Sequence, residues 1–573
     1  MAPPPIGPQS AAAVIARFLH AQGVQRAYAL CGGHIMPIWM QLHAVGIRIV
    51  DVRDERAAVY MAHAEAQLNG GLGVALVTAG PGVTNAMTGI ANAHIARAPV
   101  MVLSGLPPSA QENRGALQDI VHTDLVRGIT RYARTVRHPD LVPQELAEAA
   151  ARARGEAGEA GPVYLDFPVD TLRADVSRAI QLPEWFIPQA LPARPPHPDA
   201  VQAALEVLWS AKRPLVISGR GARGAEGVLG EFLQRLGAAY LDTGESRGLV
   251  ADDHPSVVGA VRGAVMGQAD VVLTLGRRLD FQLAYGSPAV FGEAQFVRIA
   301  DCAAELRDNR RGSVAMHADV GLSVQALLAA AGDRPSAADR DWLKGLRQQH
   351  EQRALKLREA MRQAPAGQDG RMHPNRVLAA LQDALPRTAI VVADGGDFLS
   401  FARVGLATDT YLDPGSLGCI GVGTPFGIAA SLGRPNQPVV VATGDGAFGF
   451  NAMEIDTAAR HQAPVLIVVA NNGAWAIEVR DQQETHGQVV GTTLQFADHA
   501  AMARAFGLHA ERVERAEDLP GAITRAMQHL PALLDVVVTP EAASSDAKSG
   551  LAWVPDWQAL AAWDEAEQAW RQG

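Results

Sequence analysis

The chain is predicted to be an α/β protein of three Rossmann-like, doubly wound domains, each built on a parallel sheet. Three observations carry that expectation. At 573 residues the chain exceeds one core, and about 100–200 residues per domain gives three. Hydrophobic residues make up 48% and charged residues only 19%, with 56 glycines, which describes a compact, strand-rich protein and excludes a disordered or fibrous one. Short Val/Ile/Leu runs alternate with helical stretches along nearly the whole length, the rhythm of βαβ units.

In chain order, the first domain (1–182) reads as a helix over 10–22, a strand over 26–30, a helix after Gly33, and strands over 47–52, 74–78, 100–104 and 163–167. The Pro-rich passage 183–198 cannot hold regular structure and is the first linker. A second α/β unit (199–335) has strands over 214–219, 271–276 and 296–300 and closes with a helix near 322–331. A charged helical segment over 338–361 dominates the linker 336–370. The third domain (371–540) opens with the strand 389–396 and repeats the rhythm of the first without clear sequence repetition. A tail, 541–573, follows.

Net charge of −10 and the lack of a basic stripe argue against a nucleic-acid partner. Cys31, Cys302 and Cys419 lie far apart with no CxxC pairing, so neither a disulfide framework nor a zinc site is indicated, and a reducing cytoplasm fits. The start MAPPPIGPQS has no basic region followed by an apolar core, so no signal peptide is expected, and no window reaches the roughly 18 uninterrupted apolar residues of a membrane span. A cytoplasmic protein without a membrane partner is expected.

The chemistry concentrates in the third domain. Gly444-Asp445-Gly446 follows the apolar run 438–443, and Asn471-Asn472 follows the run 463–470, with a helical segment over 451–460, opened by a capping-type Asn451, between them. Asp445 and Asn472 therefore emerge at the carboxyl edge of one sheet, where open α/β folds place ligands. Magnesium takes carboxylate and carbonyl oxygens and keeps phosphate oxygens as partners. Asp445, Asn472 and a nearby backbone carbonyl, assigned to Ala474, offer such a set. The amides of Gly444, Gly446 and Ala447, at the start of the next helix, suit a diphosphate. Either motif alone is also an ordinary turn or loop.

Together these segments resemble the signature of the thiamine diphosphate-dependent enzyme superfamily of acetolactate synthase, benzaldehyde lyase and oxalyl-CoA decarboxylase, and the resemblance runs through nearly the whole chain. It implies a pyrimidine-binding domain, a central domain and a diphosphate-binding domain, each with a six-stranded parallel sheet. It also implies thiamine diphosphate and Mg2+ as cofactors, with a site shared between chains: a homodimer at minimum, and usually a homotetramer.

Such a cofactor supplies its own carbanion, so the protein must bind, orient and set protonation states. Glu55, which opens an apolar helix after a strand, stands where the family places the carboxylate that activates the aminopyrimidine. On its residues alone it is equally a first-turn Glu favoured by the helix dipole. The resemblance puts Pro81 and Asn85, in Gly80-Pro81-Gly82-Val83-Thr84-Asn85, beside the pyrimidine. It makes Ile420, in Gly418-Cys419-Ile420-Gly421, the wedge that bends the cofactor. His34, in CGGHI, matches a proton-transferring His of benzaldehyde lyase, and Gln118 matches a Gln that binds the reacting oxygen; histidine is suited to moving protons near neutral pH. Ile477 and Glu478 fall where relatives shape the substrate pocket. A carboxylate there can move a proton on the adduct and repels a free carboxylate substrate.

The AWxIE pattern and the ending SSDAKSGLAWVPDWQALAAWDEAE resemble bacterial 2-hydroxyacyl-CoA lyases of the 2-hydroxyisobutyryl-CoA type. The implied reaction is reversible cleavage of a 2-hydroxyacyl-CoA to formyl-CoA plus an aldehyde or ketone, so the expected partner is a small acyl-CoA. The alternative is an acetolactate synthase-like or benzaldehyde lyase-like enzyme acting on small 2-oxo acids or acyloins without CoA. Four tryptophans, Trp553, Trp557, Trp563 and Trp570, crowd the tail, and Trp557, Leu560, Trp563 and Trp570 can share one helical face, either packed on the body or closing as a lid; Lys548 is a candidate contact for a CoA phosphate. The Gly219-Arg220-Gly221-Ala222 turn and Gly276-Arg277-Arg278-Leu279-Asp280 resemble segments that hold ADP or CoA in the acyl-CoA branch; FAD is not assigned.

Overall fold

The computed structural model describes residues 7–177, 186–187 and 191–544, together with 565, 568, 569 and 572. The tryptophan face and Lys548 expected in the tail lie outside the described residues, as do Pro183 and Pro188 of the first linker.

The chain forms three wholly parallel sheets, as expected of doubly wound α/β domains. The first comprises β1 (Arg26–Ala29), β2 (Arg48–Asp51), β3 (Gly73–Val77), β4 (Val100–Leu106), β5 (Tyr132–Thr135) and β6 (Val163–Pro168), in the order β2-β1-β3-β4-β6-β5. The second comprises β7 (Pro214–Ser218), β8 (Ala239–Leu241), β9 (Val271–Leu275), β10 (Gln295–Ala300) and β11 (Val314–His317), in the order β11-β10-β9-β7-β8. The third comprises β12 (Ile390–Asp394), β13 (Thr410–Leu412), β14 (Val439–Gly444), β15 (Val465–Asn471), β16 (His509–Val513) and β17 (Ala532–Val537), in the order β13-β12-β14-β15-β17-β16. The first and third sheets thus share one topology. The central sheet has five strands among the described residues rather than the expected six.

Sequence explains these strands simply. β3, β4, β14 and β15 are near-continuous apolar runs because helices cover both faces of each sheet. The first helix, Ala11–Ala21, begins where the Ser10 side chain accepts from the Ala13 amide. One expectation fails locally: Asn451 does not cap the next helix, which starts at Glu454 and has no side-chain cap. Its side chain instead donates to the Gly421 carbonyl at 2.7 Å, because the chain turns between two short helices, Asp445–Phe450 and Glu454–His461.

A single buried apolar cluster spans the first and third domains, with Val59, Tyr60 and Ala62 of the helix Glu55–Asn69 against Phe426, Ile428 and Val441. Tyr60 and His63 both meet the Phe426 ring edge-on, at 6.2 and 5.1 Å between centroids. This interface fixes the strand ends of both sheets, and they carry the site.

Candidate active site

In each outer sheet the strand order reverses beside its first strand, between β1 and β3 and between β12 and β14, and such switch points open a crevice at the carboxyl edge. The predicted residues gather at these two places. At the first edge, Glu55 is the opening residue of the helix Glu55–Asn69 and is buried, 7% exposed. Asp54 caps that helix, accepting from the Arg56 amide. The Glu55 carboxylate accepts from the Asn85 amide group at 3.1 Å. Gly82 lies so close that a Cβ there would sit 3.4 Å from Glu55 Oε1 and 3.0 Å from Thr78 Cγ2. Pro81 is exposed at the first position of the helix Pro81–Ile95.

His34 and Gln118 also meet at this edge. Burial lowers the His34 pKa; a hydrogen bond with Gln118 opposes the shift, and nearby His122 adds to it. The imidazole is therefore held neutral, with Nδ1 buried and unpartnered. Gln118 stands at φ +64°, a left-handed backbone that side chains rarely adopt, and packs on Gly80.

Sequence reasoning missed the group beneath. The Gly80 amide donates to His122 Nε2 at 2.8 Å, and His122 Nδ1 lies 3.0 Å from Asp166 Oδ2, all buried. Because Gly80 must donate, the proton of the neutral ring sits on Nδ1 and faces Asp166. The two partners stand 42 and 44 positions from His122 in sequence, and no local pattern signals them.

At the third sheet, Asp445 opens the helix Asp445–Phe450 at the end of β14 and is 5% exposed. It accepts from the Gly473 amide at 3.1 Å, and Asn472 Oδ1 accepts from the Ala474 amide at 3.0 Å. Burial pushes the Asp445 carboxyl up to about 6. Among the described residues no three of His, Cys, Asp and Glu cluster as a metal site. A cation here would take Asp445 with amide and carbonyl oxygens. A buried carboxylate that pairs with no basic side chain among the described residues, next to oxygen ligands and helix-start amides, suits a hard divalent ion and a diphosphate.

Gly444, Gly446 and Ala447 line this edge. A Cβ on Gly446 would fall 2.5 Å from the Trp475 ring, so the indole packs directly on the turn. Ile477 reaches the loop after β12, where its Cδ1 is 2.8 Å from where a Cβ on Gly396 would sit, while Glu478 is exposed in the helix Ala476–Asp481. Gly418 stands at φ +70°, two residues before a half-buried Ile420.

The second missed residue is Asp394, at the end of β12. It is fully buried, is pushed up to about 6 by burial, and accepts from the amides of Gly395, Gly421 and Gly423 at 2.7 to 3.1 Å. It therefore shapes the Ile420 segment. The signal was present in AIVVADGG, a carboxylate at a strand end.

The two edges are separate groups. Among the described residues no hydrogen bond or ion pair joins His34, Glu55, Asn85 or Gln118 to Asp445, Asn472 or Glu478. In the central domain, Gly219 and Gly221 press on Gly276, where a Cβ would meet backbone at 2.4 and 2.8 Å. Close packing between two loops accounts for those glycines.

Three family models match the chain: thiamine pyrophosphate enzyme, N-terminal TPP binding domain, over residues 9–126; the central domain over 201–327; and the C-terminal TPP binding domain over 394–536. Among curated relatives, 2-hydroxyacyl-CoA lyase 2 of Caenorhabditis elegans is 32% identical, over 87% of this chain and 84% of that protein. 2-Hydroxyacyl-CoA lyase 1 of Mus musculus is 33% identical, over 93% and 94%. The acetolactate synthase large subunit of Mycobacterium tuberculosis is 34% identical, over 92% and 96%.

Proposed function

The chain belongs to the thiamine pyrophosphate enzyme family, and from that premise we propose that it is a thiamine diphosphate- and magnesium-dependent carbon–carbon lyase. It cleaves a 2-hydroxyacyl-CoA to formyl-CoA and an aldehyde or ketone, and joins them in reverse. The observation that carries the reading is the presence of buried Glu55 held by Asn85 and of the oxygen set of Asp445 and Asn472 in a chain about a third identical to relatives named 2-hydroxyacyl-CoA lyases.

Bound thiamine diphosphate would supply the nucleophilic carbon on which such cleavage depends. Asp445, Asn472 and the Ala474 carbonyl hold magnesium, and the amides of Gly444, Gly446 and Ala447 hold the diphosphate. Ile420 and Ile477 brace the rings, with Gly418 giving the Ile420 segment its turn, and Pro81 backs the pyrimidine. Glu55 holds a proton at the pyrimidine nitrogen, and Asn85 fixes its carboxylate. Neutral His34 and Gln118 bind the substrate oxygen, and Glu478 exchanges a proton with the hydroxyl.

Because the two half-sites lie at different sheet edges, a second copy is needed to complete each centre, giving a homodimer at least, and a homotetramer as the likeness suggests. Exposed Leu117, Val121, Phe450 and Met453, 77, 65, 45 and 46% exposed, support such a covering. Free Cys31, Cys302 and Cys419 support a cytoplasmic location, and no described helix is long and apolar enough to cross a membrane. A central-domain nucleotide, ADP or CoA, gains no support from glycines already engaged in packing.

Formyl-CoA and acetone, supplied with thiamine diphosphate and magnesium, should yield a 2-hydroxyacyl-CoA detectable by mass. The 34% identity to an acetolactate synthase favours a second reading, condensation of 2-oxo acids without CoA. Product from pyruvate alone, with none from the thioester mixture, would select it.

A further inference from the structure

Glu454 is the first residue of the helix Glu454–His461, which begins nine positions after Asp445 and leads away from the metal-side turn. It is 1% exposed, and among the described residues it pairs with no basic side chain. Oε1 accepts from the backbone amides of Arg53 and Asp54, at 3.0 and 3.1 Å, and Oε2 accepts from the Thr457 hydroxyl at 2.6 Å.

Arg53 and Asp54 lie in the opposite domain, in the turn that delivers Glu55. β2 has ended at Asp51, and the helix after Asp54 uses neither amide, so both would be orphaned without an outside acceptor. Glu454 supplies it across 400 positions of chain. The same helix grips the approach to that turn: Arg460 donates to the Asp51 carbonyl at 2.8 Å, His461 Nε2 lies 2.9 Å from Asp51 Oδ1, and Arg48 donates to the His461 carbonyl at 3.0 Å. The ion pair of Arg53 with Asp456 is half-exposed and adds little.

We propose that Glu454 is a positioning residue that locks the Arg53–Asp54 turn, and with it the direction of the Glu55 carboxylate, to the third domain. The inference rests on the reading of Glu55 given above. Neither the ion-pair network of Arg460 and His461 nor the Asp54 cap performs this task, because neither reaches the two amides. A side chain with an acceptor at the same reach satisfies them whether or not it is charged, so Glu454→Gln is a faithful substitute. Glu454→Asp keeps the charge and falls one methylene short.

The test compares the full-length protein with its Glu454→Gln, Glu454→Asp and Glu454→Ala variants in two measurements. The first is hydrogen exchange at the Arg53 and Asp54 amides without added cofactor, which is independent of the functional reading. Protection is expected to fall about tenfold or more in the Asp and Ala variants, the loss that follows when a buried donor is left unmade, and to persist in Gln. The second is deuterium exchange at the thiazolium C2 of added thiamine diphosphate, expected to slow about tenfold in Asp and Ala while Gln stays within about threefold of the parent. Unchanged protection in the Asp and Ala variants overturns the lock. Lost protection with normal C2 exchange overturns its role in placing Glu55. Parent protein that protects both amides yet takes up no thiamine diphosphate overturns the functional reading and leaves the lock standing. Should the Ala variant fail to fold, the contrast between Gln and Asp decides alone.

Discussion

Asp445→Asn should change stability with opposite signs in the ligand-free and ligand-bound protein. Burial lifts this carboxyl from 3.8 to about 6, so the folded state holds its proton more tightly than the unfolded chain. With a raised folded value, the stabilising contribution is complete below the unfolded value and is lost as pH rises through about 6. At neutral pH the buried anion then costs about 3 kcal/mol, at about 1.4 kcal/mol for each pH step between the two values. Asparagine removes that cost and keeps an oxygen for the Gly473 amide. At about 2–4 °C per kcal/mol for a domain of this size, the ligand-free variant should melt some 6–12 °C above the parent at neutral pH, and level with it near pH 4. Adding thiamine diphosphate and magnesium inverts the order. The parent gains about 4.1 kcal/mol at a thousandfold excess over Kd, more than the roughly 3 kcal/mol handicap, and the variant, lacking the anionic ligand, gains little. In the parent, magnesium affinity should fall about tenfold per pH unit below 6, because the ion competes with a proton. Calorimetric melts across pH, with and without ligands, read both effects. A ligand-free variant less stable than the parent at neutral pH would refute the reasoning, as would an equal gain on adding ligands.

Three further expectations follow from single contacts. Asn85→Ala removes the amide that holds Glu55 at 3.1 Å. It should cut kcat by about tenfold or more, since hydrogen bonds to charged groups contribute about 1.5–3 kcal/mol; an unchanged kcat would show that Asn85 does not fix the carboxylate. Gly446→Ala drives a Cβ to 2.5 Å from the Trp475 ring. Overpacking of about 1–3 kcal/mol should exceed the helix gain of about 1 kcal/mol, so a melting temperature above that of the parent would count against the contact. Glu478→Gln, at an exposed position, should lower turnover while the thiamine diphosphate Kd stays within about twofold; equal turnover removes Glu478 from the mechanism.

The fold was largely legible because its strands are local signals. β14 and β15 read as strands because each is an uninterrupted apolar run, and Asp445 and Asn472 stand at their ends, where the proposed metal side lies. The failures lie where a side chain answers a distant partner. Asn451 has a capping side chain, yet it spends its amide on Gly421, brought close by the fold. His122 looks like an ordinary helix-start residue until Asp166 and Gly80 close around it. Glu454, in a helix already rich in charge, gives no hint that its acceptors serve the opposite domain. Asp394, Asp445 and Glu454 nonetheless form a coherent set. All three are buried in the third domain, and burial pushes each up to about 6 or 7. Each therefore destabilises the folded chain near neutral pH as an anion. Asp394 and Glu454 offset that by gathering otherwise orphaned amides, three and two respectively. Asp445 accepts from the Gly473 amide, and among the described residues no basic side chain pairs with it. A buried anion without a counter-ion is poor design for stability alone, and a divalent ion is the partner that its oxygen-rich setting can accept. The same imbalance is why removing the charge should strengthen the empty protein and disarm the loaded one.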